Sequence, residues 1–227
     1  MMTKTFQAAA FLAAGFFSSY ANAQTPAVTL TPENRARWDA AGQIGWLGVN
    51  KSELAPDWND WYDAASFTGS AGYYWTPHLK AELDISTTTQ GDIYTYEPLL
   101  VPGDSYPYPR PVQDFFRATA VSAGLAYQFF ENQWFHPFIG TGVEAVAESS
   151  RRNLAQQLIP GRGGIPPILQ PAQTTEWQTA VTARPFVLGG FKWYVSERAF
   201  VRTDLRSSFS SDGWKSVVWR AGVGFDF

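Results

Sequence analysis

The sequence predicts an all-β protein: an eight-stranded antiparallel up-and-down transmembrane β-barrel, with short periplasmic turns and longer external loops. Three observations predict it. Apolar and polar residues alternate with period two along eight stretches between Trp38 and Phe227, the spacing that puts successive side chains on opposite faces of a strand. The connections between those stretches alternate in length. No segment after the N-terminal one approaches the run of about 18 apolar residues that a membrane helix needs. A chain of this kind that crosses a membrane therefore crosses it as a closed barrel, in which every backbone polar group is paired.

Composition narrows the function classes. Charged residues make up only 16% of the 227 residues, while aromatics also reach 16%, with Trp 10 and Tyr 10. The net charge of −3 argues against a nucleic-acid partner, which calls for a basic surface. Cys is absent, which removes disulfides, thiolate metal sites and a Cys nucleophile.

The first segment reads as an export address. Lys4 supplies a positive charge, Ala8 to Phe17 is an apolar run too short to span a bilayer, and Ala21-Asn22-Ala23 fits a small-x-small cleavage site. Residues 1–23 are thus expected to be a signal peptide, 24–37 a periplasmic segment and 38–227 the barrel. Within the second of these, Thr31-Pro32-Glu33 resembles a helix start, with Thr as cap and Pro at the first position.

The strands follow in order. In the first, Ile44 and Trp46 oppose Gln43 and Gly45. In the second, Phe67, Ala71, Tyr73 and Trp75 oppose Ser66, Thr68, Ser70 and Gly72. In the third, Leu79, Ala81, Leu83 and Ile85 oppose Lys80, Glu82, Asp84 and Ser86. In the fourth, Val121, Leu125, Tyr127 and Phe129 oppose Ala120, Ser122, Gly124 and Gln128. In the fifth, Ile139, Val143 and Ala145 oppose Gly140, Gly142 and Glu144. In the sixth, Val187, Phe191, Trp193 and Val195 oppose Arg184, Gly190, Lys192 and Tyr194. In the seventh, Val201, Thr203, Leu205 and Phe209 oppose Arg202, Asp204 and Arg206. The last is the clearest: Val217, Trp219, Ala221, Val223, Phe225 and Phe227 oppose Ser216, Val218, Arg220, Gly222, Gly224 and Asp226.

Short connections fall at Thr76-Pro77-His78, Phe130 to Trp134 and Ser196 to Arg198. Between them lie Lys51 to Asp63, Gly91 to Phe115, Ser149 to Trp177 and a brief hairpin at Ser210 to Lys215. This rhythm matches short periplasmic turns and longer external loops. Ten strands result if the two long loops hide a hairpin. A soluble sandwich or lipocalin-like barrel shares the period but turns its apolar face inward. Two features favour the inverted arrangement. The charged face is rich in Gly, Ala and Ser, as a narrow lumen requires. The apolar face is bulky and ends near the turns in an aromatic girdle of Tyr73, Trp75, Tyr127, Phe129 and Trp193, with Phe225 and Phe227.

The terminal alternation Val223, Phe225, Phe227 resembles the signal that barrel-assembly machinery reads. The whole of Trp38 to Phe227 is similar to the small outer-membrane β-barrel superfamily of OmpA-like and OmpX-like proteins, the porin-family outer-membrane β-barrel domains. The resemblance implies the outer membrane of a Gram-negative-type bacterium, with lipid and lipopolysaccharide as surroundings. It leaves the role open among structural barrels, surface-interaction proteins, narrow pores and lipid A enzymes. No peptidoglycan-binding domain is expected after Phe227.

Chemistry is sparse. His78 and His136 are the two histidines, and both fall at the periplasmic end, away from the outer leaflet. Asp57, Asp60 and Asp63 cluster in the first loop, where solvation or weak cation binding suits them. No nucleophile elbow, phosphate loop or zinc-protease motif is present. Gly161 to Gly164 reads as flexible loop. No cofactor, metal or catalytic residue is expected.

The inner face carries a charge network: Lys80, Glu82, Asp84, Glu144, Arg184, Lys192, Arg202, Asp204, Arg206, Arg220 and Asp226. Such charges must pair or meet water. They serve either as a packed polar core or as a gated ion path, and pairing is expected between the neighbouring strands of Asp204 and Arg220. In the loops, Glu97 to Pro111 and Ile159 to Pro171 are rich in Pro with exposed Tyr, Ile and Leu, suited to an external surface partner. Arg151, Arg152 and Arg162 are placed to meet lipopolysaccharide phosphates. The function expected is non-enzymatic, structural or surface-interacting. A narrow pore for ions or small solutes is the alternative, and a lipid A-modifying enzyme the third.

Overall fold

The computed structural model describes residues 37–50, 61–99, 107–130, 134–161, 166–211 and 213–227. The expected signal peptide, the helix start at Thr31, and Asp57, Asp60 and Arg162 lie outside them. The strands are β1 Trp38–Asn50, β2 Trp61–Tyr74, β3 Leu79–Thr88, β4 Gly91–Leu99, β5 Tyr108–Gln128, β6 Phe135–Leu154, β7 Gln157–Ile159, β8 Ile168–Gln170, β9 Gln173–Thr174, β10 Gln178–Tyr194, β11 Ala199–Ser210 and β12 Gly213–Asp226.

Eight of these close on themselves. The ring runs β1-β2-β3-β5-β6-β10-β11-β12 and returns to β1, antiparallel at every step. At the seam, Asp39 stands opposite Asp226 and Val49 opposite Ser216. Trp38 and Phe227 exchange backbone hydrogen bonds of 3.0 and 2.8 Å there. Closure leaves the ring no open edge, which is what lipid demands of a sheet.

The faces sort as the period predicts. Ile44 and Val223 each keep 66% of their surface outside, whereas Arg202 keeps 1% and Arg220 2%. A soluble barrel would show the reverse. At the end with the short turns, Trp38 packs on Tyr73 with ring centres 4.8 Å apart, and Trp134 on Trp193 at 5.6 Å. Trp75, Tyr127 and Phe129 are exposed beside them. Together they form the aromatic band expected at that membrane surface.

Parts of two long connections are strand. Gly91 to Phe115, expected as a loop, is a hairpin in which β4 pairs with the first part of β5, from Gly91 opposite Phe116 to Leu99 opposite Tyr108. β3 and β4 follow one another along the same side of β5, interrupted only at Thr89-Gln90. β6 likewise continues to Leu154, with β9 paired to its end, and β7 and β8 form a small separate hairpin. These pieces lengthen barrel strands and add none to the ring, so the count stays at eight. Prolines concealed this. Pro98, Pro109 and Pro111 read as loop, yet Pro109 and Pro111 pair with β4 and precede the first β5–β6 pair, Val112 with Leu154, so β6 asks no N–H of them. The brief hairpin at Ser210 closes through Gly213, whose φ of 111° suits glycine alone among common residues.

Candidate functional site in the barrel interior

All the charges expected on the inner face do point inward, and all are buried except half-buried Asp226. They stack in tiers. Nearest the short turns, Asp39 of β1 gathers Lys192 of β10 and Lys80 of β3, the latter at 3.1 Å. Tyr74 donates to Asp39 at 3.0 Å and accepts from Lys192 at 2.6 Å and Gln128 at 3.0 Å. Tyr194 donates to Asp226. The Lys192 ammonium also lies 4.0 Å from the centre of the Phe200 ring.

The next tier spans the lumen. Arg202 of β11 forks onto Glu82 of β3 at 2.6 and 2.7 Å, and its Nε donates to Asp204 at 2.9 Å. In a ring of eight, β3 and β11 are four strands apart in either direction, so this bridge crosses a full diameter. Every guanidinium nitrogen of Arg202 has an acceptor, the condition under which a buried ion pair offsets its desolvation. Asp204 also accepts from Arg220 at 2.7 Å and from Gln43 at 2.9 Å.

One tier further out, Arg206 pairs with Asp84, a second bridge from β11 to β3, and donates to Ser122 at 2.9 Å. Arg220 reaches the same Asp84 at 3.2 Å. Beyond that, Arg184 binds Glu148 at 2.6 Å and approaches Glu144 at 3.9 Å. A cavity of about 40 Å³ opens here between Glu144, Glu148, Arg184 and Arg206 on one side and Leu47 and Val146 on the other, room for a few waters. Above it Leu47, Val49, Tyr62, Phe116, Ala118 and Val146 form an apolar cluster, and Asn50, Asp114 and Ser216 are buried at the same end.

Sequence reasoning placed pairing between the neighbouring strands β11 and β12. Asp204 and Arg220 do pair so, but the bridges to Glu82 and Asp84 cross the lumen, and no local spacing encodes them. Asp39 was missed as the hub of the first tier. Its signal was present, because it continues the inward parity of Gln43 two steps down β1. Phe138, Phe186 and Phe200 were missed for being apolar on a polar face. They lie 4.8 Å from the Arg202 guanidinium, 4.1 Å from that of Arg206 and 4.0 Å from the Lys192 ammonium. Phe186 fits because Gly142 faces it: a Cβ there would come 2.6 Å from the ring. The inner face expected to be mostly small or charged, with Val218 the exception, carries in its outer part the apolar cluster against which Val218 packs.

The remaining candidates scatter. His78 bonds the Gln128 carbonyl oxygen at 2.8 Å in a turn and stacks on Tyr127, while His136 sets its edge against Tyr194. Asp63 is half-buried in β2. Arg152 points inward and pairs with Asp114, 2.8 Å away, and with Glu97. Val223, Phe225 and Phe227 point outward at the seam.

Residues 9–227 match the model of a family described as outer membrane protein β-barrel domain. The chain belongs to that family. As an outer membrane protein β-barrel domain it resides in a Gram-negative outer membrane, with the short turns and both strand ends of the seam on the periplasmic side. Among solved structures it resembles Neisserial surface protein A at 16% identity and a TM-score of 0.50, over 84% of this chain and 96% of that one. The N-terminal β-barrel domain of Pseudomonas aeruginosa OprF is similar at 13% identity and a TM-score of 0.49, over 85% and 99%. OprG from Pseudomonas aeruginosa follows at 14% and 0.47, over 85% and 97%. Among curated proteins no match is found.

Proposed function

We propose that the protein is a closed, non-catalytic barrel that acts through its presence in the outer membrane and through the surface it presents outside. The observation that carries this reading is the pair of ion bridges from β11 to β3, Arg202 to Glu82 and Arg206 to Asp84, which cross the lumen at successive heights. The apolar cluster around Leu47 and Phe116 supports it from above, since bulky apolar side chains there narrow the path and offer an ion few ligands. The extended β4–β5 hairpin supports the surface role, with Tyr94 and Tyr96 each 72% exposed. The placement of both histidines near the periplasmic turns supports a non-enzymatic role, because the lipid A leaflet lies at the other end. Val223, Phe225 and Phe227, outward on the closing strand, support recognition of β12 by assembly machinery.

The test is planar-bilayer conductance of the purified, folded protein. A silent bilayer is expected. Discrete, reproducible current steps would replace this reading with that of a narrow pore. Release of acyl chains from labelled lipid A by the same preparation would replace it with that of an enzyme.

A further inference from the structure

The outer wall carries two arginines at one height. Arg117 lies on β5 at an outward position, beyond Val121 and Thr119, and stands opposite Ser149 of β6. Arg151 is the next outward residue along β6 and stands opposite Phe115. Trp177 immediately precedes β10, whose Thr179 is paired with that same Ser149. The guanidinium carbons of Arg117 and Arg151 lie 4.4 and 5.0 Å from the centre of the Trp177 ring, and Arg151 lies 4.9 Å from that of Phe115.

The height of this cluster follows from the strand. From Phe129 at the periplasmic band, outward positions rise through Tyr127, Leu125, Ala123, Val121 and Thr119 to Arg117. At about 3.4 Å per residue and a tilt of about 40°, that climb is roughly 30 Å, the thickness of the hydrocarbon core. The arginines therefore stand where the headgroups of the outer leaflet begin.

Their partners set them apart. Every arginine of the lumen tiers has a carboxylate, and so does Arg152 next in sequence. Among the described residues Arg117 and Arg151 form no ion pair, and the buried Nε of Arg151 has no hydrogen-bond partner. Aromatic rings lie within cation–π distance of both guanidinium groups, and no carboxylate among the described residues neutralises either charge, so both charges remain to be met by a phosphate.

We propose that Arg117, Arg151 and Trp177 form a site on the outer wall for the phosphate of a phosphorylated glycolipid of the outer leaflet, of the lipid A type. Arg152, next in sequence to Arg151, turns inward onto Asp114 and Glu97 and is not part of this site. The site is independent of whether the lumen conducts. Its occupant is a membrane lipid because the arginines face the bilayer directly above an apolar wall, so acyl chains have a surface to lie on.

The experiment is native mass spectrometry of the protein purified from membranes in detergent, titrated with bisphosphorylated lipid A, its dephosphorylated form and phosphatidylglycerol. The bisphosphorylated form is expected to be retained about tenfold better than the dephosphorylated one. The variant R117Q/R151Q is expected to lose that preference, with folding checked by its heat-dependent gel mobility. The variant W177L, which keeps both charges but not the ring they share, is expected to lose about threefold. A wild-type protein that fails to distinguish the two lipid A forms overturns the proposal without recourse to a variant. So does a double variant that folds and keeps the preference. Displacement of lipid A by millimolar inorganic phosphate would make this a site for free phosphate, and equal retention of phosphatidylglycerol would reduce it to general attraction for anionic lipid. Either result overturns the assignment.

Discussion

At Asp204 one almost fully buried carboxylate serves Arg202, Arg220 and Gln43. Removing it leaves two buried guanidinium groups short of an acceptor. Breaking a buried pair from one side costs about 3–5 kcal/mol, far more than the pair contributes against an apolar substitute. Asp204→Ala should therefore lower unfolding free energy by that amount, measured by urea titration of the protein in thin-bilayer vesicles. A loss under about 1 kcal/mol would mean that the tiers relax freely and specify nothing. The Arg202–Glu82 bridge invites the opposite comparison. Either partner replaced alone by an apolar residue should destabilise strongly, while the two together should cost much less, a coupling of about 1–3 kcal/mol in a double-mutant cycle.

A strand of this protein is read by two solvents, one on each side. β11 shows this most plainly: Arg202, Asp204 and Arg206 face the interior, and Leu205, 53% exposed, faces out between Gly189 of β10 and Trp219 of β12. In a water-soluble sheet an exposed Leu changes to Arg at almost no cost. Near the middle of a bilayer the same change costs about 2–4 kcal/mol. Leu205→Arg thus tests the orientation of the whole strand with one residue. Destabilisation in that range, by unfolding in vesicles, is expected, and a neutral result would contradict a lipid-facing wall. Beyond the bilayer the strands obey different needs. β5 and β6 run for 21 and 20 residues, longer than a crossing requires, and their ends pair with β4 and β9 above the membrane.

On the proposed reading the whole molecule is closed twice. Ion bridges cross the diameter in the middle, and an apolar cluster fills the lumen towards the outside. On that reading each closure holds an ion back by itself, the first with paired charges and the second with bulky apolar side chains. The charge-balanced variant E82S/R202S should fold and remain silent in planar bilayers. The same variant carrying L47S/F116S should show current steps. Steps from the first variant alone would assign the entire barrier to the ion bridges.

Several properties of this protein were legible in the chain alone. Period-two alternation from Trp38 to Phe227 determined the eight strands, their faces and the inward set from Lys80 to Asp226, because each strand is a local object that sorts its side chains by the solvent it meets. Low charge content and the aromatics beside the turns determined that the outer solvent is lipid. Tertiary structure alone decided which charges meet. Arg202 and Glu82 are far apart in sequence and four strands apart around the ring, and only closure at eight strands makes a diameter short enough for their side chains to span. It also decided that Phe186 lies inside, since its ring lies over Gly142, its partner on the neighbouring strand, where a Cβ would collide with it. And it decided that Arg151 looks out at the membrane while Arg152 looks in, because the loop that held both in sequence is a continuation of β6, where neighbours in the chain must point opposite ways.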